Sequence, residues 1–382
     1  MTRKQRMANQ IRGEEIDRVP MIGGWNLGVR NLAALAGISV EEYLKDPMNG
    51  VVRANQRLDV DACVPPIIPR DINSVRDGQL EEKNFTNVEP EALQERAGKI
   101  PDSEEKVLAG FDHAGCYKKY MDYLGGVAKA LGDIELVTTV WEATANFALY
   151  FQYGYEAFLA ATALYPEEVG KIYRQDGLLA RERNKQIVRV MQDLDVPPIL
   201  FTGHDICTND GPMCSPDFLR EHYWQHAKVS LSPFIESGIR VIGHCDGDVM
   251  PVIPDMLGAG YSGFQGFQYE CGVNPPKIRK LAGAAGEKLL FFTGLSVTRT
   301  LPFGTPREVE DDVDYFIDVT AGGRGMFLFT SNVTGVEVPP ENIAAAYRHL
   351  RQYDPRRGRS GAKHADWPYE VKHPDAAAPR KG

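Results

Sequence analysis

Five side chains capable of acid–base or metal chemistry stand at the ends of apolar runs in the second half of the chain. They are His204, Asp205, His244, Asp246 and Glu270. Histidine serves as a general acid or base and as a metal ligand. Carboxylates fill both roles as well. These five residues are therefore the candidates for catalysis or metal binding.

His244 and Asp246 form the sharpest pattern. Residues i and i+2 of a strand point to the same side, so both side chains would face one site while Cys245 faces away. Histidine with a carboxylate is a common zinc-binding combination. We expect His244, Asp246 and Glu270 to bind a divalent metal, with zinc favoured. If the strand has already ended, Cys245 could instead join His244. The other alternative is that His244 and Asp246 form a hydrogen-bonded pair that caps the next helix.

We expect Asp205, with its neighbour His204, to act as a base or to orient the substrate. The alternative for this pair is a helix cap at a strand end. The alternative for Glu270 is a surface carboxylate beside a buried thiol. Cys207 and Cys214 have an unusual spacing for zinc, so we interpret both as structural residues.

The chain between residues 198 and 353 predicts the scaffold for these side chains. Apolar runs alternate there with helical segments, which is typical of βα units on a parallel sheet. Continuous apolar strands also favour a sheet that is buried on both faces. With two or three strands upstream, the prediction is an α/β protein with a (β/α)8 TIM barrel, an N-terminal extension and a polar C-terminal tail. A doubly wound sheet is the second choice.

The predicted boundaries follow from the same runs. The strands are predicted at 198–202, 238–244, 261–268, 289–293 and 325–330. A helix is predicted from Pro166 to Asp193, and residues 71–106 are expected to be an irregular hairpin or excursion outside the core. We assign residues 1–353 to a single barrel domain and residues 354–382 to a polar, mobile tail.

The strand ends of a TIM barrel lie on one face, so we predict that all five candidate residues converge on one pocket. Burying several carboxylates together is costly unless a cation or a shared proton compensates. The cluster therefore implies a metal, a basic substrate or a raised carboxyl pKa.

Charge and composition exclude several classes of partner. Lys and Arg number 43 against 52 Asp and Glu, a formal charge of −9. Such a surface repels nucleic acid and anionic membranes, and no apolar run approaches the length of a membrane span. Six cysteines are too sparse for a disulfide framework, so we expect a cytoplasmic protein with reduced thiols and a small-molecule substrate. A homodimer is left open.

Several motifs, in this order and spacing, resemble the uroporphyrinogen decarboxylase superfamily over residues 3–353. The motifs are Arg12-Gly13 through Asp17-Arg18-Val19-Pro20, Ser215-Pro216-Asp217-Phe218, Gly243-His244-Cys245-Asp246-Gly247, Gly304-Thr305-Pro306-Arg307-Glu308-Val309 and Pro339-Pro340-Glu341-Asn342-Ile343. The resemblance implies a (β/α)8 barrel. It also implies one of two activities: metal-free decarboxylation, or zinc-dependent methyl transfer involving corrinoid proteins.

The chain is more similar to the corrinoid-linked methyltransferase and O-demethylase branch. Arg30 is a single arginine where the decarboxylases carry several. His244 matches the histidine of the methyltransferase His-x-Cys pair, but Asp246 and Asn332 occupy the two cysteine positions. Glu270 resembles an acidic residue of that branch. Histidine, aspartate and glutamate are harder Lewis bases than a thiolate, so a metal held by them favours oxygen ligands.

The resemblance implies a methyltransferase of one-carbon or O-demethylation metabolism. A metal on His244, Asp246 and Glu270 would polarise the heteroatom that carries or accepts the methyl group. The corrinoid would be carried by a partner protein, because the chain contains no Asp-x-His-x-x-Gly motif. One alternative is a metal-free decarboxylase of a smaller acid, with Asp205 and Asp246 protonating a carbanion. Another is a non-catalytic binding barrel.

Overall fold

The computed structural model describes residues 1–72 and 88–361. Its strands are short, and those of the second half coincide with buried apolar runs. In chain order they are β1 (Ile22–Gly23), β2 (Ala62–Cys63), β3 (Glu135–Leu136), β4 (Thr138–Thr139), β5 (Ile199–Gly203), β6 (Cys207–Thr208), β7 (Gly211–Pro212), β8 (Arg240–His244), β9 (Gly263–Gln265), β10 (Leu290–Leu295) and β11 (Met326–Thr330).

Helices connect and cover these strands. They are α1 (Arg3–Arg12), α2 (Val29–Ala36), α3 (Val40–Lys45), α4 (Pro47–Leu58), α5 (Glu91–Gly98), α6 (Glu104–Leu108), α7 (His113–Leu131), α8 (Tyr150–Tyr153), α9 (Tyr155–Leu164), α10 (Pro166–Asp193), α11 (Pro216–Phe218), α12 (Gln225–Glu236), α13 (Ile253–Ala259), α14 (Pro275–Ile278), α15 (Thr300–Phe303), α16 (Pro306–Val319) and α17 (Pro340–Gln352). Short 3-10 helices occupy Trp141–Ala143, Tyr269–Cys271 and Pro355–Arg357, and a π-helical turn spans Leu219–Trp224.

The strands form a curled parallel sheet of six, in the order β11-β10-β9-β8-β5-β4, and a parallel sheet of three, β1-β2-β3. Only Val137 separates β3 from β4. At the other edge, the Leu328 N–H of β11 donates to the Pro20 carbonyl, at 3.0 Å. The architecture is α/β and compatible with a TIM-barrel-like fold.

The predicted (β/α)8 barrel is confirmed only in part. The described residues form a curled parallel sheet of six strands and a separate sheet of three, rather than one closed ring of eight strands. Strands β1 to β4 contain two residues each, so they contribute few of the ladder hydrogen bonds that define a continuous ring.

Side chains alternate between two buried layers along the strands, as the two-residue period of a strand requires. Phe201 and Phe292 belong to an inner cluster, which Met7 and Ile11 of α1 also join. The intervening residues, such as Leu200, belong to the larger cluster that includes the helix faces. Helix α1, the predicted N-terminal extension, therefore packs directly against the inner side of the sheet.

Local signals explain most boundaries. Helix α10 spans the predicted range and begins with Pro166, whose fixed φ suits the first helical turn. Strand β9 is shorter than the predicted 261–268, because Gly266 and Phe267 adopt positive φ angles of 113° and 60° that end the extended backbone.

The prediction of an irregular excursion over residues 71–106 was wrong where the structure describes it. Helices α5 and α6 lie there, and the Ser103 side chain caps α6. Leu93 and Ala97 of α5 are buried. Both helices are short and carry few apolar residues, which weakens their periodic signal. Residues 73–87 of that segment, and 362–382 of the predicted tail, lie outside the described residues. Within the described ranges no helix is both long and apolar enough to cross a membrane.

Candidate functional site

Three neighbouring strands end at the same place and bring their last side chains together. Gly203 of β5 pairs with His244 of β8, and His244 pairs with Gln265 of β9. A Cβ atom at position 203 would lie 2.0 Å from the His244 carbonyl oxygen. Only glycine therefore permits β5 to approach β8 this closely.

The ring of His244 is held by Gln265. The amide nitrogen of Gln265 donates to the carbonyl oxygens of Thr330, at 2.6 Å, and Ser331, at 2.9 Å. Its oxygen Oε1 therefore faces His244 and lies 2.6 Å from Nδ1. An amide oxygen only accepts, so Nδ1 carries the proton, and in the neutral ring Nε2 keeps a free lone pair. This is the tautomer that binds a metal through Nε2.

Two carboxylates surround that lone pair. Nε2 of His244 lies 3.7 Å from Oδ1 of Asp205 and 4.0 Å from Oδ1 of Asp246. One donor atom from each of these three residues lies within 4.8 Å of the others. The backbone N–H of Asp246 also donates to Oδ1 of Asp205, at 3.1 Å. Nitrogen and carboxylate donors at this spacing suit a divalent cation.

Only one of the two carboxylate oxygens of Asp246 has a hydrogen-bond partner among the described residues. Its Oδ2 accepts from the side-chain amide of Asn332, at 2.5 Å. Its Oδ1 is buried without a hydrogen-bond partner in the described part of the chain. Burial raises the pKa of Asp246 to about 6; His244 opposes this rise, and the charges of Asp205 and Glu270 add to it. The unpaired oxygen and the crowding of carboxylates both favour a bound cation.

Glu270 lies on the 3-10 helix Tyr269–Cys271 and stands outside the group of three donors. Its Oε1 accepts from the Thr298 hydroxyl, and its Oε2 is buried with no partner within the described ranges. Its charge nevertheless contributes to the raised pKa of Asp246. The geometry therefore groups His244 and Asp246 with Asp205, which we had expected to be catalytic, more tightly than with Glu270.

His204 lines the cavity beside Asp205. Its Nε2 is buried with no hydrogen-bond partner among the described residues. Burial lowers the pKa of His204 to about 4, so its ring is neutral near pH 7. A neutral imidazole with a free nitrogen can donate to or accept from a substrate heteroatom.

Aromatic rings enclose His244. The ring centroids of Trp25, Trp141 and Phe201 lie 6.0, 5.7 and 6.1 Å from that of the histidine, all edge to face. Cys245, between the two site residues, belongs to the cluster that includes the helix faces, although β8 ends at His244, before it. Apolar surroundings lower the local dielectric constant and so strengthen the electrostatic interactions of the His244 ring.

A cavity of about 550 Å³ opens onto two of the three donors, Asp205 and His244. Its lining includes His204, Asp205 and His244, with the aromatic side chains of Trp141, Tyr150 and Phe151. Tyr150 also donates from its hydroxyl to the Asp205 carbonyl, at 3.0 Å. The volume falls in the range of small-molecule sites.

Sequence reasoning missed Gln265, although it offers a signal. It is a polar residue inside an apolar run, and the β8–β9 register sets it beside His244. Asn332 was noted only as a departure from a cysteine position, whereas it binds Asp246. Arg96 and Arg183, on α5 and α10, also line the cavity, and no local pattern marks them.

No protein-family model and no curated protein sequence matches this chain. In structure, the chain is similar to a methyltransferase from Methanosarcina mazei, with a TM-score of 0.60 and 14% sequence identity. The similarity covers 92% of this chain and 99% of that chain. At this identity it establishes a shared fold alone. The resemblance to the uroporphyrinogen decarboxylase superfamily therefore stays a prediction from the motifs.

Proposed function

We propose that the chain is a methyltransferase that moves a methyl group from a small substrate to a corrinoid on a separate protein, with a divalent metal at the strand ends. The group of three donors formed by Asp205, His244 and Asp246 carries this proposal. The methyltransferase from Methanosarcina mazei supports it at the level of the shared fold.

The residues present fit a metal. Nε2 of His244 would be the nitrogen ligand, and the carboxylates of Asp205 and Asp246 would be the oxygen ligands. Three protein ligands with an open position are typical of catalytic zinc, which remains the favoured ion. In this assignment Asp205 takes the place expected for Glu270. A bound metal would act as a Lewis acid toward the heteroatom that carries the methyl group.

The surrounding residues position this set. Gln265 fixes the ring of His244, and Asn332 holds Oδ2 of Asp246, which leaves Oδ1 free. His204 would orient the substrate heteroatom through its unpartnered Nε2. In the reaction the bond between the methyl carbon and the heteroatom would break, and the methyl group would pass as a cation equivalent to the reduced corrinoid of the partner protein, which supplies both electrons of the new bond. The heteroatom would keep the electron pair of the broken bond and take up a proton from solvent. Glu270, whose Oε2 is buried without a partner in the described residues, would act on this set through its charge, which contributes to the raised pKa of Asp246.

A methyl-transfer assay tests the proposal. The purified chain is incubated with a panel of methyl ethers and methylamines and with reduced cobalamin, and methylcobalamin is followed by absorbance. We expect turnover that is lost on chelation and that falls about 100-fold or more in Asp246→Asn. Asp210→Asn, which removes an exposed carboxylate outside the donor group, should retain full activity. Turnover that survives both chelation and Asp246→Asn would exclude the proposed site.

A metal-free decarboxylase of a small acid is the second candidate. The observation that favours it is the raised pKa of Asp246, because a protonated carboxyl group can donate to a developing carbanion. The carbon–carboxylate bond would break, carbon dioxide would leave, and the carbanion would take the proton of Asp246. Release of carbon dioxide that is insensitive to chelator, with no methyl transfer, would favour this function over the first.

A further inference from the structure

Two arginines line the cavity apart from the group of three donors. Arg96 lies on α5 and Arg183 on α10, whereas His244 lies at a strand end. Both arginine side chains keep part of their surface exposed, while His244 is buried. We call this pair the arginine rim. It is the part of the cavity that the proposed metal site leaves without a role.

The arginine rim is incompletely neutralised. Nη2 of Arg96 lies 3.2 Å from Oδ1 of Asp176, and its Nη1 is 3.4 Å from Oε1 of Gln152. Arg183 donates to the backbone carbonyl of Glu142 and has no carboxylate at ion-pair distance in the parts of the chain that the structure describes. Most of its donors therefore remain available for an acceptor.

The nearby carboxylates compensate this charge only in part. Burial raises the pKa of Asp176 to about 6 despite the nearby charges of Arg96 and Arg183. Glu142 also lines the cavity but is exposed, so solvent and salt screen its charge. With a pKa of about 6, Asp176 is mostly ionised near pH 7 and pairs with Arg96. Arg183, which has no carboxylate at ion-pair distance among the described residues, is therefore the guanidinium group that an incoming anion would meet first.

The walls between the rim and the donors are apolar and partly flat. Trp141, Tyr150, Phe151 and Leu179 contribute to them. Trp141 and Phe151 keep 40% and 41% of their surface exposed, so part of each ring is accessible to a ligand, while Trp25 stacks against Trp141 with ring centroids 6.1 Å apart. Aromatic faces favour the stacking of planar apolar groups.

We infer that the cavity binds a substrate with a carboxylate at one end and a flat, apolar body. The carboxylate would pair with Arg183 and Arg96, since guanidinium groups match its geometry with two parallel hydrogen bonds. The body would lie along Trp141 and Phe151, and the opposite end would reach His244. Only the identity of that reacting end rests on the proposed function; binding of the carboxylate does not.

Calorimetric titration with two matched probes tests the inference. The probes are 4-methoxybenzoate and 4-methoxybenzamide, which share a body and differ in charge. We expect the acid to bind about 10-fold more tightly or better, as charge-assisted pairing predicts. Arg183→Gln should abolish the preference. Arg189→Gln, which removes a cation from the same helix but outside the cavity lining, should keep it.

Repeating the titration with His244→Ala separates this inference from the proposed function. The preference for the acid should persist in that variant, because the arginine rim is intact even where metal binding and methyl transfer are lost. Failure of methyl transfer with a persistent preference would overturn the function alone. Equal affinity for acid and amide, no binding of either probe, or a preference that survives Arg183→Gln or disappears in His244→Ala would overturn the inference.

Discussion

Nδ1 of His244 lies 2.6 Å from the side-chain oxygen of Gln265, and this oxygen is oriented by two backbone carbonyls that bind the same amide. The orientation of one amide on β9 therefore determines which nitrogen of the histidine on β8 faces the two aspartates. Such outer contacts fix both the tautomer and the direction of a metal-binding histidine.

Replacing Gln265 should weaken metal binding without removing a ligand. In Gln265→Met the ring of His244 loses its acceptor, so the fixed tautomer is lost, and we expect the metal affinity to fall about 10- to 100-fold. Competition with a chromogenic chelator measures this. Gln225→Met, at an exposed position on α12, serves as the control. Wild-type affinity in Gln265→Met would remove the assigned role of the amide.

Gly203→Ala should disrupt the site through the backbone. The new Cβ would lie 2.0 Å from the His244 carbonyl oxygen, so β5 and β8 must separate at their ends. We expect loss of metal binding and a decrease of about 1–3 kcal/mol in the free energy of unfolding. Gly126→Ala on α7, where the Cβ meets no atom within 4 Å, should be neutral or stabilising. Similar behaviour of the two variants in metal titration and urea unfolding would contradict the close approach.

Asp61 should be important for stability and not for the site. It is fully buried and lies 2.5 Å from Nη1 of Arg6 and 3.0 Å from Nη1 of Arg18. Asp61→Ala leaves these arginines without their buried partner, and we expect a loss of about 3–5 kcal/mol in urea unfolding. Asp59→Ala removes a more exposed partner of Arg3 and Arg18 and should cost at most about 1 kcal/mol. Equal losses would show that burial of the pair is not the cause.

The ion pair between α16 and α17 should make stability depend on pH. The hydrogen bond to Asp314, at 2.8 Å, raises the pKa of His349 above its usual value of 6.5. The folded state thus favours the protonated ring, and this stabilisation is complete below about pH 6.5 and lost as pH rises through the folded pKa. His349→Gln should therefore lower the free energy of unfolding more at pH 5.5 than at pH 8.5. A loss of the same size at both pH values in urea titrations would contradict the raised pKa.

The sequence predicted the parts of the site that depend on a single strand. The side chains of His244 and Asp246 do lie near one another and Cys245 lies in another layer, although β8 ends at His244 and Asp246 belongs to the loop after it. The sequence could not reveal that Asp205 approaches His244 more closely than Asp246 does, since that depends on the loop after β5.

The sequence did not predict the parts of the cavity and of the sheet that are formed by residues far apart in the chain. The arginine rim combines side chains from α5 and α10, which lie far apart in the chain. Strands β1 to β4 contain two residues each, which is too short for an apolar run to mark them in the sequence. The closed eight-stranded barrel, which was predicted mainly from the later strands, is therefore found only in part.

The metal content of the purified protein tests the central claim most directly. Inductively coupled plasma mass spectrometry is applied to the wild type, to His244→Ala and to His226→Ala, which removes a histidine of α12 outside the donor group. After incubation with zinc and desalting, we predict about one equivalent of metal in the wild type and in His226→Ala, and a small fraction of that in His244→Ala. A metal-free wild type, or equal metal in all three proteins, would contradict the assignment of Asp205, His244 and Asp246 as a metal site.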